Sequence, residues 1–140
     1  MEELDIIRLD LPATYKYLNV LGASIGEVMK RAEEVPGLDA LSYNIQLAVH
    51  EACTNIVGHA YEGVDNGRIK IALSLVAKPG QFIVELEDTG RSFDPSLVHE
   101  PDLENGQIHG YGLFLMRSLM DEVSYLPLPN CNRWRLVKNL

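Results

Sequence analysis

The stretch "HEACTNIVGHAY", residues 50–61, is the part of the sequence from which the rest is most readily interpreted. Its spacing is helical, yet it contains Gly58, where alanine would be about 1 kcal/mol more favourable. At about 100° per residue, Glu51 and Asn55 lie one above the other, with Thr54 and Gly58 beside them. This side is either a solvated polar face or a carboxylate and an amide directed at a ligand that needs close backbone approach.

The same stretch lacks the familiar zinc-binding pattern. A His-Glu-x-x-His site needs a second histidine four residues after the first, and position 54 is threonine. His50 also projects about 100° away from Glu51 around the helix. We therefore interpret His50 as a surface or capping residue.

Length and composition restrict the class of protein. A chain of 140 residues with 46% hydrophobic and 23% charged residues fits one compact globular domain, here residues 1–140. No apolar run approaches the ~18 residues that span a bilayer. The acidic, alternating N-terminus is unlike a signal or transit peptide. We therefore expect no membrane segment.

Charge and cysteine usage narrow the setting further. The net charge of −8 without a basic tract argues against direct binding of nucleic acid or of an anionic membrane. The two cysteines, Cys53 and Cys131, are far apart and form no Cys-x-x-Cys motif. A reduced, cytoplasmic location is the simplest interpretation.

Hydrophobic periodicity and turn residues divide the chain into strands and helices. Strands are predicted at 4–11, 68–77, 81–88, 124–128 and 133–140. Helices are predicted at 15–34 after an N-cap at Thr14, from Asp39 or Ser42 to about Tyr61, and at 110–123, the last apolar nearly all round and so buried. Helices that cover one face of a mixed, mostly antiparallel sheet make an α/β two-layer sandwich.

A second polar motif ends one of the predicted strands. In "ELEDTGRSFDP", residues 85–95, the strand stops at Asp88, and Gly90 follows two residues later. This arrangement places a carboxylate at the end of the sheet, beside a backbone that can pass close to a ligand. A plain turn is the alternative, because aspartate and glycine are favoured in turns.

A third motif, "HGYGLFLM" at residues 109–116, precedes the last predicted helix. Gly110 and Gly112 leave backbone N–H groups free at the helix N-terminus, which can bind an anion. The motif is neither a Walker loop, since no Gly-Lys-Ser/Thr follows, nor a Rossmann fingerprint, since its third glycine is missing. Alone it is equally compatible with packing glycines.

Together, and in this order, the three motifs resemble the Bergerat ATP-binding fold of histidine-kinase catalytic domains, type II topoisomerase ATPases and a heat-shock chaperone family. The closer resemblance is to the anti-sigma-factor serine kinases. The matching segments are "EACTNIVGHAY" (51–61), "DTGRSFDP" (88–95) and "GYGLFLMRSLMDEVSY" (110–125). The resemblance covers essentially the whole chain and implies a single histidine-kinase-like ATPase domain.

The resemblance implies a nucleotide site built from the second and third motifs. Asp88 would accept a hydrogen bond from the adenine amino group, and Gly90 would let the backbone pass close to the base. Gly110 and Gly112 would give N–H groups to the phosphates, with Leu113 as the next residue of this binding segment.

The resemblance also implies the metal and catalytic residues. Asn55 would hold Mg²⁺ through its side-chain oxygen, bridging the ATP phosphates. Glu51 would be the general base that takes the proton from a serine hydroxyl or orients a water. These roles agree with phosphoryl transfer, which depends on positioning, charge neutralisation and one residue that orients the nucleophile.

The implied function is an ATP- and Mg²⁺-dependent serine-protein kinase in bacterial partner switching. Such a protein binds a regulatory target and phosphorylates a serine on an antagonist protein. Its partners would be a sigma factor and/or an anti-sigma-factor antagonist, with a homodimer possible. The alternative is a non-catalytic, ATP-dependent module that sequesters a sigma factor or other partner. A histidine-kinase catalytic domain is disfavoured because no phosphoacceptor helix hairpin precedes the motifs.

Some residues depart from the family pattern. Segment 94–107 contains acidic residues and no lysine or arginine, so we expect residues 96–108 to be mobile without nucleotide. Its acidic residues are Asp94, Glu100, Asp102 and Glu104. Neutralisation of the phosphates would then need Mg²⁺, the helix N-terminus, and Arg91 or Arg117. Several relatives have a Gly-Thr pair where this chain has "NCNRW", residues 130–134.

Overall fold

A computed structural model of the chain describes residues 5–32, 34–77, 80–92 and 111–140. Within these ranges, five strands form one sheet in the order β1-β2-β3-β5-β4. The strands are β1 (Asp5–Pro12), β2 (Arg68–Val76), β3 (Gln81–Asp88), β4 (Glu122–Leu128) and β5 (Cys131–Asn139). The predicted mobility of residues 96–108 concerns a segment outside the described ranges.

Every neighbouring pair of described strands is antiparallel. The prediction of a mostly antiparallel sheet is therefore confirmed, but the described strands contain no parallel pair, so "mixed" was wrong for them. The register pairs Asp88, the last residue of β3, with Asn132, near the start of β5. This pairing brings two residues 44 positions apart in the chain to the same end of the sheet.

The described helices pack as a second layer. They are α1 (Leu18–Met29), α2 (Leu38–Asn55) and α3 (Tyr111–Leu119). A 3-10 turn at Tyr15–Tyr17 precedes α1, and a π-helical turn at Ile56–Ala60 continues α2. Together with the sheet they confirm the predicted α/β two-layer sandwich.

The core lies between the two layers. Alternate side chains of the central strands point towards the helices, as the two-residue period of a strand requires. On the sheet side the buried residues include Ile69, Ile71, Leu73, Phe82, Val84, Leu86, Trp134 and Leu136. On the helix side they include Leu21, Ile25, Met29, Ile45, Val49, Ile56 and Met116. Burial of this apolar surface is the main force that holds helices on one face of the sheet.

The helix boundaries differ from the predicted ones. Helix α1 ends at Met29 rather than near residue 34. Helix α2 begins at Leu38, preceded by Gly37 with a φ of +67°, a conformation that glycine adopts at little cost. Thr14 occupies the predicted N-cap position of the 3-10 turn, but its side chain makes no capping hydrogen bond.

The last helix is shorter than predicted and is buried on one side only. It ends at Leu119, and β4 begins at Glu122. Hydrogen bonds to β5 replace the helix here, because Asp121 N donates to Val137 O over 2.9 Å and Asn139 N donates to Asp121 Oδ2 over 2.7 Å. Phe114 is 42% exposed, so the prediction of a helix buried nearly all round was wrong.

Candidate functional site

The first and third motifs meet where the C-terminal end of α2 faces the first turn of α3. Glu51 and Asn55 lie in the last turns of α2, and both side chains are half-buried. A Cβ atom added to Gly112 would lie 3.2 Å from Glu51 Oε2 and 3.6 Å from Asn55 Nδ2. The backbone of α3 therefore approaches the carboxylate and the amide that the sequence singles out.

Neither of these two side chains is used in a hydrogen bond between described residues. The only hydrogen bond of this turn that involves Glu51 outside the helix ladder is to its backbone oxygen, from Thr54 Oγ1 over 2.9 Å. Within residues 5–32, 34–77, 80–92 and 111–140, the Glu51 carboxylate and the Asn55 amide are thus free to bind a ligand.

A change of helix type follows Asn55 directly. In the turn Ile56–Ala60 the backbone adopts π-helical hydrogen bonding, and Tyr61 N donates to Ile56 O, five residues earlier, over 3.0 Å. π-helical turns within helices are rare and occur frequently at functional sites. The side chains of residues 58–60 therefore point in directions that differ from those expected for an α-helix, in which each residue turns by about 100°.

Gly58 has a neighbour that the sequence did not predict. A Cβ atom at this position would lie 2.6 Å from the hydroxyl oxygen of Tyr15, in the turn before α1. The space beside Gly58 is therefore filled by a tyrosine hydroxyl. The idea that this glycine leaves room for a ligand does not agree with this contact.

Asp88 ends β3 with its side chain on the buried face, and only 2% of the residue is exposed. Its Oδ1 atom accepts hydrogen bonds from Gly90 N and from Asn132 Nδ2, both over 2.9 Å. Burial raises the pKa of this carboxyl, and the hydrogen bonds from Asn132 and Gly90 oppose that rise. No hydrogen bond from the described residues reaches Oδ2, so this oxygen is the one left for a ligand.

Asn132 is a candidate site residue that the sequence alone did not indicate. It is 1% exposed and lies directly opposite Asp88 in the sheet register. The two-residue period that places Trp134 and Leu136 in the core also places position 132 on the buried face. A polar residue at an inward position near a strand end was the signal that could have identified it.

Gly90 is required by packing against the π-helical turn. A Cβ atom at position 90 would lie 2.4 Å from Ala60 O, and Arg91 N donates to the same oxygen over 2.8 Å. The turn after β3 is therefore pressed against the end of the first motif. The predicted contact between Gly90 and the base remains a prediction.

A small cavity joins the first two motifs. Its lining residues are Asn55, Ile56, His59, Ala60, Asp88, Arg91, Tyr125 and Trp134. The cavity has a volume of about 10 Å³, which is room for about one water molecule. The cavity is too small to hold a purine ring.

The two arginines proposed to neutralise phosphate differ in position. Arg91 lines the cavity and forms an exposed salt bridge of 3.1 Å with Glu62, a kind of pair that is released at little cost. Arg117 lies in the last turn of α3, about 9 Å along the helix axis from its start. Arg91 thus shares a cavity with Asn55 and Asp88, whereas Arg117 lies away from the N-terminus of α3.

Two further predicted site residues are Leu113 and Gly110. Leu113 is buried in the core, so only its backbone could contact a ligand. Gly110 lies outside the described residues.

Among the described residues, no group of three or more histidine, cysteine, aspartate or glutamate side chains could hold a metal ion. A metal bound here would need most of its ligands from elsewhere.

The described helices include none with the length and apolar character needed to cross a membrane.

Comparison with known proteins shows that residues 11–138 match the histidine kinase-like ATPase domain. The chain is also similar to the serine-protein kinase RsbW of Bacillus pumilus, with 32% identity over 137 residues, covering 87% of this chain and 78% of the relative. Similarity to the serine-protein kinase RsbW of Listeria monocytogenes is 35% over 132 residues, covering 85% and 78%.

Two solved structures share the fold. One contains the RsbU and RsbW domains of Rv1364c from Mycobacterium tuberculosis, with a TM-score of 0.70 and 19% identity, and the match covers 97% of this chain and 32% of that chain. The other is the blue-light activated histidine kinase EL346 of Erythrobacter litoralis, with a TM-score of 0.58 and 21% identity, covering 93% and 42%. At these identities the likeness concerns the fold.

Proposed function

This chain belongs to the histidine kinase-like ATPase domain family, and within it to the serine-protein kinases of the RsbW type, and from that premise we propose which residues carry its chemistry. It is an ATP-dependent serine-protein kinase of the anti-sigma-factor type. The observation that carries the proposal is the meeting of Gly112 with Glu51 and Asn55. Asn55 also lines a cavity together with Asp88.

The adenine base is bound through Asp88. Its Oδ2 atom accepts a hydrogen bond from the exocyclic amino group, while Oδ1 is held by Gly90 N and Asn132 Nδ2. Guanine carries an oxygen at the corresponding position, and an ionised carboxylate cannot donate to it. Opening of the cavity between the π-helical turn and β3 accompanies binding.

The triphosphate is bound at the first turn of α3. Backbone N–H groups there, including that of Gly112 and, by expectation, those of Gly110 and Leu113, point at an anion and are assisted by the helix dipole. Arg91 adds a positive charge once its exposed salt bridge with Glu62 is replaced by a contact with a phosphate. These donors offset the repulsion from a chain of net charge −8.

Asn55 is the protein ligand for Mg²⁺. An amide oxygen is a suitable ligand, and this ion commonly keeps several waters and binds through few protein groups plus substrate phosphates. The absence of a larger acidic or histidine cluster among the described residues fits that mode. When bound, Mg²⁺ neutralises charge on the phosphates.

Glu51 is the general base. It accepts the proton of the substrate serine hydroxyl as that oxygen bonds to the γ-phosphorus and the bond to the ADP oxygen breaks. Its half-buried position beside Asn55 and Gly112 supports this role, since the nucleophile must reach the phosphate that these groups surround.

The protein substrate is a serine-containing antagonist, and the regulatory target is a sigma factor, in the cytoplasm of a bacterium. The non-catalytic alternative sequesters a sigma factor or other partner without phosphorylating anything. Recovery of partners from native lysate with and without ATP separates the two. A small antagonist that gains phosphate supports the kinase, and only an unmodified sigma-like partner supports the sequestering module. Homodimerisation stays a prediction.

The catalytic assignment is tested by comparing two variants. Glu51→Gln keeps the size of the side chain and removes the base, so ATP affinity should stay within a few-fold while phosphoryl transfer falls by roughly 10²-fold or more. Asn55→Ala should instead weaken Mg²⁺-ATP binding itself. Calorimetry and single-turnover transfer of labelled phosphate measure the two effects.

Asp39→Asn serves as the control, because it makes a comparable acid-to-amide change in the first turn of the same helix. It should alter neither binding nor transfer. If Glu51→Gln and Asn55→Ala lose nucleotide binding equally, the base role of Glu51 is wrong and it belongs to the metal or structural shell.

A further inference from the structure

Both polar atoms of the buried Asn132 amide make hydrogen bonds. Its Nδ2 atom donates to Asp88 Oδ1 and to Gly90 O, both over 2.9 Å, and its Oδ1 atom accepts a hydrogen bond from Ser92 Oγ. With 1% of the residue exposed, water cannot readily replace these partners. One amide thus connects the carboxylate at the end of β3 with the turn that follows it.

These contacts restrict the orientation of the Asp88 carboxylate. Oδ1 is held by two donors on different parts of the chain, the backbone of Gly90 and the side chain on β5. Rotation that tilted the plane of the carboxylate would break both hydrogen bonds, whereas a half-turn only exchanges two equivalent oxygens and restores the same arrangement. The plane of the carboxylate is therefore held, and one oxygen is left without a donor from the described residues on a side chain that lines the cavity.

We propose that Asn132 is a positioning residue that determines selectivity for the 6-amino group of adenine, by fixing Asp88 so that Oδ2 alone faces the base. This inference rests on the proposed function, in which Asp88 binds adenine. Without the amide, Oδ1 keeps a single donor and the carboxylate can turn, so the acceptor is no longer aimed at the amino group. Selectivity then falls although Asp88 is still present.

The same amide also holds the turn after β3. Gly90 O and Ser92 Oγ both bind Asn132, while Arg91 N binds Ala60 O on the π-helical turn. The base-binding carboxylate and residues 90–92 are therefore positioned as one unit. Asn132 acts on the nucleotide through Asp88 and this turn, without a contact of its own to the reacting atoms.

The simpler alternative is that Asn132 only satisfies buried hydrogen bonds and stabilises the fold. The two ideas differ in what they predict for ligands. A structural residue, when replaced, weakens all nucleotides by a similar factor. A positioning residue for the amino group weakens ATP more than an analogue without that group.

The test uses a matched pair of variants, Asn132→Thr and Asn132→Val. The two side chains have nearly the same shape and both suit a strand, but only threonine can donate a hydrogen bond to Asp88 Oδ1. The ligands are ATP and purine riboside triphosphate, which lacks the 6-amino group. Binding is followed by fluorescence of Trp134, the one tryptophan of the chain, which lines the cavity.

We expect the unmodified protein to prefer ATP over the analogue by about tenfold or more, the effect of one hydrogen bond to a charged group. Asn132→Thr should keep most of this preference. Asn132→Val should reduce this preference to about threefold or less, because the affinity for ATP falls while the affinity for the analogue is retained. An equal weakening of both nucleotides in the valine variant, with the preference intact, would overturn the inference and leave Asn132 a purely structural residue.

Two further outcomes are distinguishable. If the unmodified protein binds both nucleotides equally, the assignment of Asp88 to adenine is wrong, and the proposed role of Asn132 falls with it. Circular dichroism checks folding of each variant. If Asn132→Val does not fold, Asn132→Ser and Asn132→Ala provide the same comparison with smaller side chains, and the same ratios decide.

Discussion

At the scale of the residue, Asp88 combines a cost of burial with two fixed hydrogen bonds. Burial raises the pKa of its carboxyl, whereas Asn132 Nδ2 and Gly90 N favour the ionised form. A carboxylate placed in this way loses solvation but gains a defined direction for its remaining oxygen. Such a compromise is typical of binding sites, where stability is given up for a group held ready for a ligand.

Asp88→Asn should weaken ATP binding by about tenfold or more while the fold is retained. The two donors at Oδ1 require the amide oxygen there, so the NH₂ group must occupy the place of Oδ2 and would face the adenine amino group, donor against donor. Calorimetry with ATP and GTP measures the change. Glu85→Gln, on the opposite face of the same strand, is the control and should have no effect. Equal affinities of the unmodified protein for ATP and GTP would remove Asp88 from base recognition.

The same residue predicts a pH dependence of stability. Because burial raises the folded-state pKa of Asp88, the folded protein binds more protons than the unfolded one between the two pKa values. Its contribution to stability is full below the unfolded pKa of about 4 and is lost as the pH rises through the folded pKa. The stability of Asp88→Asn relative to the unmodified protein should therefore increase with pH across this window. Urea unfolding at several pH values measures the difference, and a constant difference would contradict the prediction.

At the scale of the element, the π-helical turn Ile56–Ala60 is the junction between the first two motifs. Just after it, the hydroxyl of Tyr61 donates to Arg68 O and accepts from Thr89 N, both over 2.8 Å. Ala60 O accepts from Arg91 N over 2.8 Å. The end of the long helix is thus tied to the start of β2 and to the end of β3, and these ties set the distance between Asn55 and Asp88.

Gly90→Ala should destabilise the protein by about 1–3 kcal/mol, because the new methyl group would lie 2.4 Å from Ala60 O and neither backbone can yield without strain. Gly22→Ala, in the interior of α1, is the control. There the added atom would meet Gln46 Oε1 at an ordinary 3.6 Å, and the helix should be unchanged or more stable. Thermal unfolding measures both. A neutral Gly90→Ala would show that the turn is not pressed against the helix.

Tyr61→Phe should cost about 1–3 kcal/mol of unfolding free energy, because it leaves the Thr89 N–H and the Arg68 carbonyl without their partner. Tyr43→Phe is the matched control, since Tyr43 is 66% exposed and should lose almost nothing. Chemical unfolding of both variants compares them. Equal losses would mean that the hydroxyl of Tyr61 is not part of the junction.

At the scale of the whole molecule, the candidate site lies at one end of the sandwich. The last residue of β3, the start of β5, the C-terminal end of α2 and the first turn of α3 all meet there. The opposite face of the sheet carries half-exposed ion pairs such as Arg133–Glu87, 2.9 Å apart. Opposite charges facing each other across strands in this way suit a surface more than a nucleotide site.

The net charge of −8 predicts that ATP binding without Mg²⁺ is weak and becomes stronger with salt, because the ions screen repulsion between like charges. Replacing Glu100, Asp102 and Glu104, which lie outside the described residues, with their amides should tighten Mg²⁺-free binding more than Mg²⁺-bound binding. Affinities with and without Mg²⁺ at low and moderate salt measure this.

The control for that experiment changes the net charge by the same amount elsewhere, with amides in place of Glu34, Asp39 and Glu85. It should have a smaller effect that does not depend on Mg²⁺. Affinities that stay unchanged in all four conditions would mean that the carboxylates of segment 94–107 face away from the phosphates.

The sequence alone determined the order of strands and helices along the chain, the two-layer architecture and the three motifs. Apolar periodicity, turn residues and the spacing of Glu51 and Asn55 are local properties, and they are visible without knowledge of the fold. The error at the end of the last helix arose because a local pattern was overridden by a contact distant in the chain. Residues 120–123 continue a helical pattern, but pairing with β5 gains hydrogen bonds that no short window of sequence reveals.

The tertiary structure decided what holds the site together. Asn132 becomes a candidate site residue only because the register of β3 and β5 places it opposite Asp88. Gly90 must be glycine only because Ala60 O lies where its Cβ would be, and Gly58 faces Tyr15 from a different element. Such contacts join residues tens of positions apart, and they follow from how whole elements pack, which residue type and local spacing do not encode.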